Sequence, residues 1–244
     1  MIKGLSWLST LKSLMVNSEK TKGHCVGCLS SNANNGLCEF CRADLPVNQW
    51  HCRCCALPMS YAGNEHICGG CLASPPPFDR SLIPWRYQYP VDGMISRYKY
   101  HGQLKFARPL IAGLTSHLES AFQNRSDDKP ELLIPSPMLP ARRRERGFNQ
   151  ARDIAEKLGH ALDIPVSASA VKRVRKVQAQ RGLSREARLA NLRGVFTVCG
   201  PVPERVAIVD DVVTTGATVR VLASVLRDAG AKEIQIWALA RTPG

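Results

Sequence analysis

The chain has 244 residues, 44% of them hydrophobic, and 33 Lys and Arg against 20 Asp and Glu give it a formal charge of +13 at pH 7. That length suits one domain of ordinary size plus a small module, and the lack of any apolar run of 18 or more residues excludes a membrane span of that kind. The positive balance favours anionic ligands, with pyrophosphate and nucleic acid both eligible.

Taken in chain order, residues 1–22 place Trp7, Leu8, Leu11, Leu14 and Met15 among Ser, Lys and Thr. This is the pattern of an amphipathic arm rather than a secretory core, so a cytoplasmic location is expected. A docking arm is preferred over a helix lying on a membrane surface.

Nine of the ten cysteines then fall between Cys25 and Cys71, and eight form C-x-x-C pairs: Cys25/Cys28, Cys38/Cys41, Cys52/Cys55 and Cys68/Cys71. Each pair can present two thiolates to one Zn2+, so four pairs predict two structural zinc ions in a double ribbon over residues 23–77. Sequential pairing is simplest, and a cross-brace of first pair with third satisfies the same count. A disulfide framework would require an oxidising compartment, for which the N-terminus gives no support. His24, His51 and His66 are bystanders in this reading, Cys54 is a spare thiol and Cys199 is incidental. With four thiolates per ion no coordination position is open, so the module is a rigid knob for contacts with protein or nucleic acid.

Ser74-Pro75-Pro76-Pro77 forms a stiff spacer, and residues 78–244 form the second domain. Arg80 to Val91 has strand-like content, Val91 to Tyr100 reads as a short helix and Leu104 to Phe122 as a longer one. Gln123 to Pro130 is a loop, and Leu132 to Ile134 a short strand followed by Pro135-Ser136-Pro137. The arginines of Arg142 to Gly147 read as a basic loop suited to pyrophosphate, with Arg146 supplying a guanidinium fork and Gly147 close backbone approach. A helix follows, with Ile154, Ala155 and Leu158 on its apolar face. Val171 to Arg193 lacks a sustained apolar face and reads as mobile, either a flexible loop able to close over a site or an exposed basic linker with a helix near 184–191. From Arg142 to Arg193, fourteen Lys and Arg face five Asp and Glu. This basic stretch has few aromatics for base stacking.

The last motif is the most informative. Val206 to Val209 is a β-branched run suited to a strand covered on both faces, and Asp210 and Asp211 fall at its carboxyl end, where ligands of parallel sheets bind. In a regular strand only one of the two carboxylates can use a given face. Thr214, Thr215, Gly216, Ala217 and Thr218 supply hydroxyls, close backbone approach and the free N–H groups of a helix start, which suit a phosphate. The carboxylates suit ribose hydroxyls or Mg2+.

This string resembles the signature of type I phosphoribosyltransferases, in which the hydroxyl-rich turn surrounds the 5-phosphate of phosphoribosyl pyrophosphate and the acidic pair lies near the ribose. The four Cys pairs, the Pro-rich joint, Tyr98-Lys99-Tyr100-His101-Gly102, Arg146-Gly147-Phe148-Asn149-Gln150, Gln180 with Arg188 and Asn191, and Asp210 to Thr218 together resemble the ComF family over nearly the whole chain. The resemblance implies an α/β fold, a type I phosphoribosyltransferase-like parallel sheet flanked by helices, with a small N-terminal double zinc ribbon. It also implies a bacterial role in competence or DNA utilisation, with phosphoribosyl pyrophosphate or a nucleotide, single-stranded DNA and DNA-uptake proteins as partners. Two classes of function stay open. One is binding of phosphoribosyl pyrophosphate and single-stranded DNA; the other is Mg2+-dependent phosphoribosyl transfer to an unidentified acceptor, for which no general base is assigned and whose acceptor pocket is sought near Tyr98 to Gly102.

Overall fold

The computed structural model describes residues 23–60, 66–123, 128–174 and 194–244. The arm expected at 1–22, the residues Gln180, Arg188 and Asn191, and the helix expected near 184–191 lie outside the described residues.

In chain order the elements are α1 (Glu39–Ala43), α2 (Gly69–Ala73), β1 (Arg80–Leu82), β2 (Trp85–Arg86), α3 (Val91–His101), α4 (Leu104–Phe122), β3 (Leu132–Pro135), α5 (Pro140–Arg146), α6 (Gln150–Leu162), β4 (Val171–Arg173), β5 (Phe196–Val198), β6 (Arg205–Val213), α7 (Ala217–Asp228) and β7 (Glu233–Arg241). The central sheet runs β1-β7-β6-β3 with β2 also on β7, and every pairing in it is parallel. β4 and β5 form a separate antiparallel pair.

Side-chain alternation along the long central strands divides the core in two. Ala207 and Val209 of β6, with Trp237 and Leu239 of β7, pack against Ile95 of α3, Leu110 and Leu114 of α4, and Ile154 and Leu158 of α6. Val206 and Ile208, with Ile234, Ile236 and Ala238, face the other way onto Leu222 and Leu226 of α7 and Phe196 of β5. This is the parallel sheet, buried on both faces, that the continuous apolar run Val206 to Val209 predicts.

The ribbons share these cores. Cys25, Leu37, Cys38 and Leu45 join the first, and Ala56 and Phe78 join the second. The proline-rich joint is pinned to α7: Arg220 Nη1 donates to Ser74 O at 3.3 Å, and Arg227 Nε to Pro77 O at 3.2 Å.

Three local expectations change. The arginine run is not a loop; from Pro140 to Arg146 it is helical, and the loop at the end of β3 is 136–139. Val171 to Arg173 is a strand held by β5, so the low apolar content there is that of a short two-stranded ribbon. Finally, β6 does not stop at Val209: it continues through the acidic pair to Val213, carried by β7, while its other neighbour β3 ends at the Pro135↔Val209 pair.

At Gly159, α6 packs closely on the segment that follows it, where an added Cβ would lie 2.5 Å from Val166 Cγ2 and 2.7 Å from the carbonyl oxygen of Ile164. Helix propensity alone would make Gly159→Ala stabilising by about 1 kcal/mol, but overpacking against backbone costs about 1–3 kcal/mol. A lower thermal midpoint, by a few degrees, is therefore expected in a melting scan; a higher one would mean that the contact relaxes freely.

Candidate functional site

The cleft lies where β6 outruns β3. It measures about 220 Å3, and its walls include Lys99 of α3, Ser136 to Leu139 beyond β3, Arg142 and Arg146 of α5, Asn149, Arg173, Asp210, Asp211 and Thr218. Of the residues expected at a phosphoribosyl site, Asp210, Asp211, Thr218 and Arg146 line this cleft directly. Thr214 and Thr215 are exposed on the turn that leads from β6 into α7. Gly216 is the N-cap of that helix at φ +74°, a conformation that a side chain would strain, and Ala217 is its first residue. Gly147 is not a wall residue; at φ +81° it caps the C-terminus of α5 and turns the chain toward α6.

Both carboxylates reach one cleft because the strand does not stay regular. The ladder with β7 passes from Asp210↔Ala238 to Val212↔Ala240, skipping Asp211. Val212 then packs against the core of α3, α4 and α6, and Val213 against that of α7. Strict alternation would place each on the opposite side.

The two acids have different partners. Asp211 forms an ion pair with Lys99 at 2.9 Å, with both side chains nearly buried. Asp210 Oδ1 accepts the backbone N–H of Asp211 at 2.8 Å. Burial, and then the charge of Asp211, push the Asp210 carboxyl up to about 7, against the opposing pull of the Asp211 N–H, Lys99 and the Ser136 hydroxyl. An unfolded Asp ionises near pH 4, so between about pH 4 and 7 the folded protein keeps a proton that the unfolded chain has released. Stability from this group is therefore lost as pH rises through that window. Asp210→Asn is expected to flatten that slope in denaturant midpoints taken from pH 4 to 8; parallel curves for the two proteins would show that Asp210 ionises normally.

Opposite the acids, the cleft is crowded with cations. Burial, and then the charge of Arg142, lower the pKa of Arg173 from its ordinary value. The Nε atoms of Arg146 and Arg173 are buried without a hydrogen-bond acceptor among the described residues. Arg80, Arg86 and Arg205, which do not line the cleft, have Nε atoms in the same state, so the cations that converge on the cleft, rather than those atoms, suit it to an anion.

The ribbons follow one design twice. In each, a C-x-x-C knuckle closes on a left-handed residue: Leu29 N donates to Cys25 O at 2.9 Å, and Ala56 N to Cys52 O at 2.8 Å, with φ of +65° at Leu29 and +53° at Ala56. The second pair sits at a helix start, Cys38 capping α1 and Cys68 capping α2, where N–H groups favour thiolate. The eight thiols gather as Cys25, Cys28, Cys38, Cys41 and as Cys52, Cys55, Cys68, Cys71, with the sulfurs of each group within 4.8 Å of one another. Pairing is therefore sequential, not cross-braced.

Four sulfurs set tetrahedrally about 2.3 Å from zinc stand about 3.8 Å apart. Cys28 and Cys38 are at 3.6 Å, and Cys55 and Cys68 at 3.7 Å. A hydrogen bond between Cys55 and Cys52 pulls the Cys52 thiol down and, with burial, pushes the Cys55 thiol up, as in a set of thiols that share one site. Both donor sets thus suit Zn2+. His24, His51, His66, Cys54 and Cys199 belong to neither group.

No protein-family model matches the chain. Among curated relatives, competence protein F of Haemophilus influenzae is 36% identical over 222 residues, covering 89% of this chain and 95% of its own length. The chain belongs to the ComF family. DNA utilization protein YhgH of Escherichia coli K12, at 32% identity, is covered over 97% of its length, and competence protein ComFC of Streptococcus pneumoniae, at 27%, over 65%. A solved purine phosphoribosyltransferase from Pyrococcus horikoshii, 24% identical, overlaps 55% of this chain and 71% of its own with a TM-score of 0.35. That overlap is partial, and the fold rests on the sheet order described above.

In this ComF-family chain, the string Arg146 to Gln150 is a clamp for the cleft's walls. Arg146 stacks over Tyr100 with 5.0 Å to the ring centroid and donates to Gln150 Oε1 at 3.4 Å. Phe148 packs on Tyr98 at 5.4 Å. Asn149 caps α6 through the Ala151 N–H at 3.1 Å and donates to Ser136 O at 3.3 Å, while buried Gln150 donates to Lys99 O at 3.4 Å. Tyr98, sought near an acceptor pocket, lies instead in the core; its hydroxyl donates to Asp153 at 2.7 Å, and burial together with the Asp153 charge raises its pKa. Sequence reasoning assigned no site role to Ser136, Asn149 or Arg173, and reached Lys99 only within the stretch Tyr98 to Gly102 where an acceptor pocket was sought. The ComF-type strings contain Lys99 and Asn149, but only the packing of α3 and α6 gives them their places.

Proposed function

We propose that the cleft binds phosphoribosyl pyrophosphate with Mg2+, and that the protein uses this site while handling incoming single-stranded DNA in the cytoplasm. The observation that carries the ligand is the juxtaposition of Asp210, Asp211 and Thr218 with Arg142, Arg146 and Arg173 around one small cavity. In this reading the turn Thr214 to Thr218 takes the 5-phosphate through hydroxyls and helix N–H groups. Asp210 and Asp211 take ribose hydroxyls, and the arginines take pyrophosphate. Mg2+ would bind through the acidic pair and the ligand's own oxygens, and neutralise pyrophosphate charge. Two Zn2+ ions, one in each group of four cysteines, hold the ribbons.

The DNA role follows the competence and DNA-utilization names of the relatives and has physical support on the face of α5. Arg142, Arg143 and Arg144 are exposed there. Beside the cleft and sharing Asn149 and Arg173 with it runs a groove of about 560 Å3, whose walls include Arg143, Lys172 and Phe148 together with Asp153 and the ion pair Arg152–Glu156. A strand's phosphates suit such a wall. Substituting Ala for Arg142, Arg143 and Arg144 is expected to weaken single-stranded DNA binding and to lower the salt slope by about 0.7 for each phosphate no longer neutralised. An unaltered slope in fluorescence anisotropy would place the DNA elsewhere.

Transfer remains the second reading, because buried acids facing paired arginines also suit stabilisation of a ribosyl cation with departing pyrophosphate. Incubation with phosphoribosyl pyrophosphate, Mg2+ and pools of bases, amines or DNA separates the two. Pyrophosphate release that depends on an acceptor identifies an enzyme, whereas tight binding without release identifies a ligand-binding DNA-handling protein.

A further inference from the structure

Arg241, the last residue of β7, has a buried guanidinium, 6% exposed. Its Nε donates to the carbonyl oxygen of Cys55 at 3.0 Å. Its Nη1 faces Val213 O at 3.2 Å, Thr214 O, Thr242 O at 3.0 Å and Thr242 Oγ1 at 3.2 Å. One side chain therefore joins a knuckle of the second ribbon to the root of the hydroxyl-rich turn. Among the described residues its hydrogen bonds all go to neutral oxygens, so the buried charge is balanced by the carbonyl dipoles of the two segments it holds.

A second tie brackets the same turn from its far side. Arg220, in the first turn of α7, donates to Ser74 O at 3.3 Å and to Cys71 Sγ at 3.9 Å. Both ties reach the group Cys52, Cys55, Cys68, Cys71. The first ribbon packs instead with the core of α3, α4 and α6.

We propose that Arg241 is a positioning residue that couples the second zinc site, Cys52, Cys55, Cys68 and Cys71, to the Thr214 to Thr218 turn, so that zinc held there and phosphoribosyl ligand held in the cleft strengthen each other. The inference rests on the reading of the cleft as a phosphoribosyl site. The peptide group gives the physical reason. C=O and N–H point oppositely across a trans peptide, so fixing the Thr214 carbonyl on Arg241 fixes the Thr215 N–H away from it. That sets the first donor of the turn before ligand arrives. Cys55 O fixes the Nε side of the guanidinium, and the knuckle keeps that carbonyl in place while its thiolates are bound to metal. Coupling between sites is reciprocal: whatever factor zinc lends to ligand affinity, ligand must lend to zinc affinity.

The test uses the full zinc-loaded chain and two readouts. Calorimetry gives the affinity for phosphoribosyl pyrophosphate with Mg2+. Alkylation in the presence of a zinc chelator, read by peptide mass, gives the release rate at each group of four cysteines separately. In the wild type the ligand is expected to slow alkylation of Cys52, Cys55, Cys68 and Cys71 about tenfold and to leave the first group unchanged, a factor within the usual range for coupled sites. Arg241→Met is expected to lose about that factor in ligand affinity and all of the protection, and Arg241→Lys, which keeps the charge but not the fork, to lose much of both. Ligand binding without selective protection in the wild type overturns the coupling, and that result requires no variant to fold. Full affinity and protection in a folded Arg241→Met chain overturns the role of Arg241. Failure of the wild type to bind phosphoribosyl pyrophosphate refutes the phosphoribosyl reading itself, and the coupling with it.

Discussion

Cys38→Ser is expected to reduce metal content from two zinc ions per chain to one and to lower the thermal midpoint by about 10 °C or more. Cys38 has three roles at once: thiolate in the first group of four cysteines, N-cap of α1 and buried member of the core shared with α3 and α4. A structural zinc ion contributes about 10–16 kcal/mol of folding energy in small ribbons, comparable to the whole stability of an ordinary domain. The ribbon has little else: no residue of α1 is buried. Its loss would uncover Leu37 and Leu45 together with the surfaces of Met94 and Phe106 beneath them. At about 2–4 °C per kcal/mol for a chain of this size, even partial transmission of that loss gives the stated drop. Metal analysis and a melting scan check it. Two zinc ions retained with an unchanged midpoint would remove the metal from the account of the fold.

What could be read from the sequence follows from how local each signal is. The helix Leu104–Phe122 is legible to the residue because its apolar spacing runs for five turns. The two knuckle-and-helix ribbons are legible as four Cys pairs, but not their partners, since sequential and cross-braced pairings have the same composition; the gathering of the sulfurs into Cys25, Cys28, Cys38, Cys41 and Cys52, Cys55, Cys68, Cys71 decides it. The run Arg142 to Arg146 is misread as a loop because it lacks an apolar stripe, and its helix depends on a proline start and a glycine stop. The regular alternation assumed at Asp210 and Asp211 fails because β6 loses β3 as a neighbour there and keeps only β7. Lys99 is beyond any local rule: it reaches Asp211 from a helix more than a hundred residues earlier in the chain.

That long-range pair complicates the test of the ligand site, and the complication is useful. Asp210→Asn with Asp211→Asn is expected to reduce phosphoribosyl pyrophosphate affinity about 100-fold or more in calorimetry. Hydrogen bonds to charged acceptors contribute about 1.5–3 kcal/mol each, and about 1.4 kcal/mol is tenfold in affinity. The same change strands the ammonium group of Lys99, whose side chain is only 14% exposed. Breaking a buried pair from one side costs about 3–5 kcal/mol, enough for unfolding to be mistaken for weak binding. Adding Lys99→Met removes the stranded charge and is expected to restore much of the thermal midpoint, since an apolar replacement of a whole buried pair is often neutral. It should not restore the ligand. Recovery of stability together with affinity would show that the carboxylates only hold Lys99, and the phosphoribosyl assignment of the acidic pair would then be wrong. Recovery of stability alone assigns the carboxylates to the ribose and Lys99 to their support.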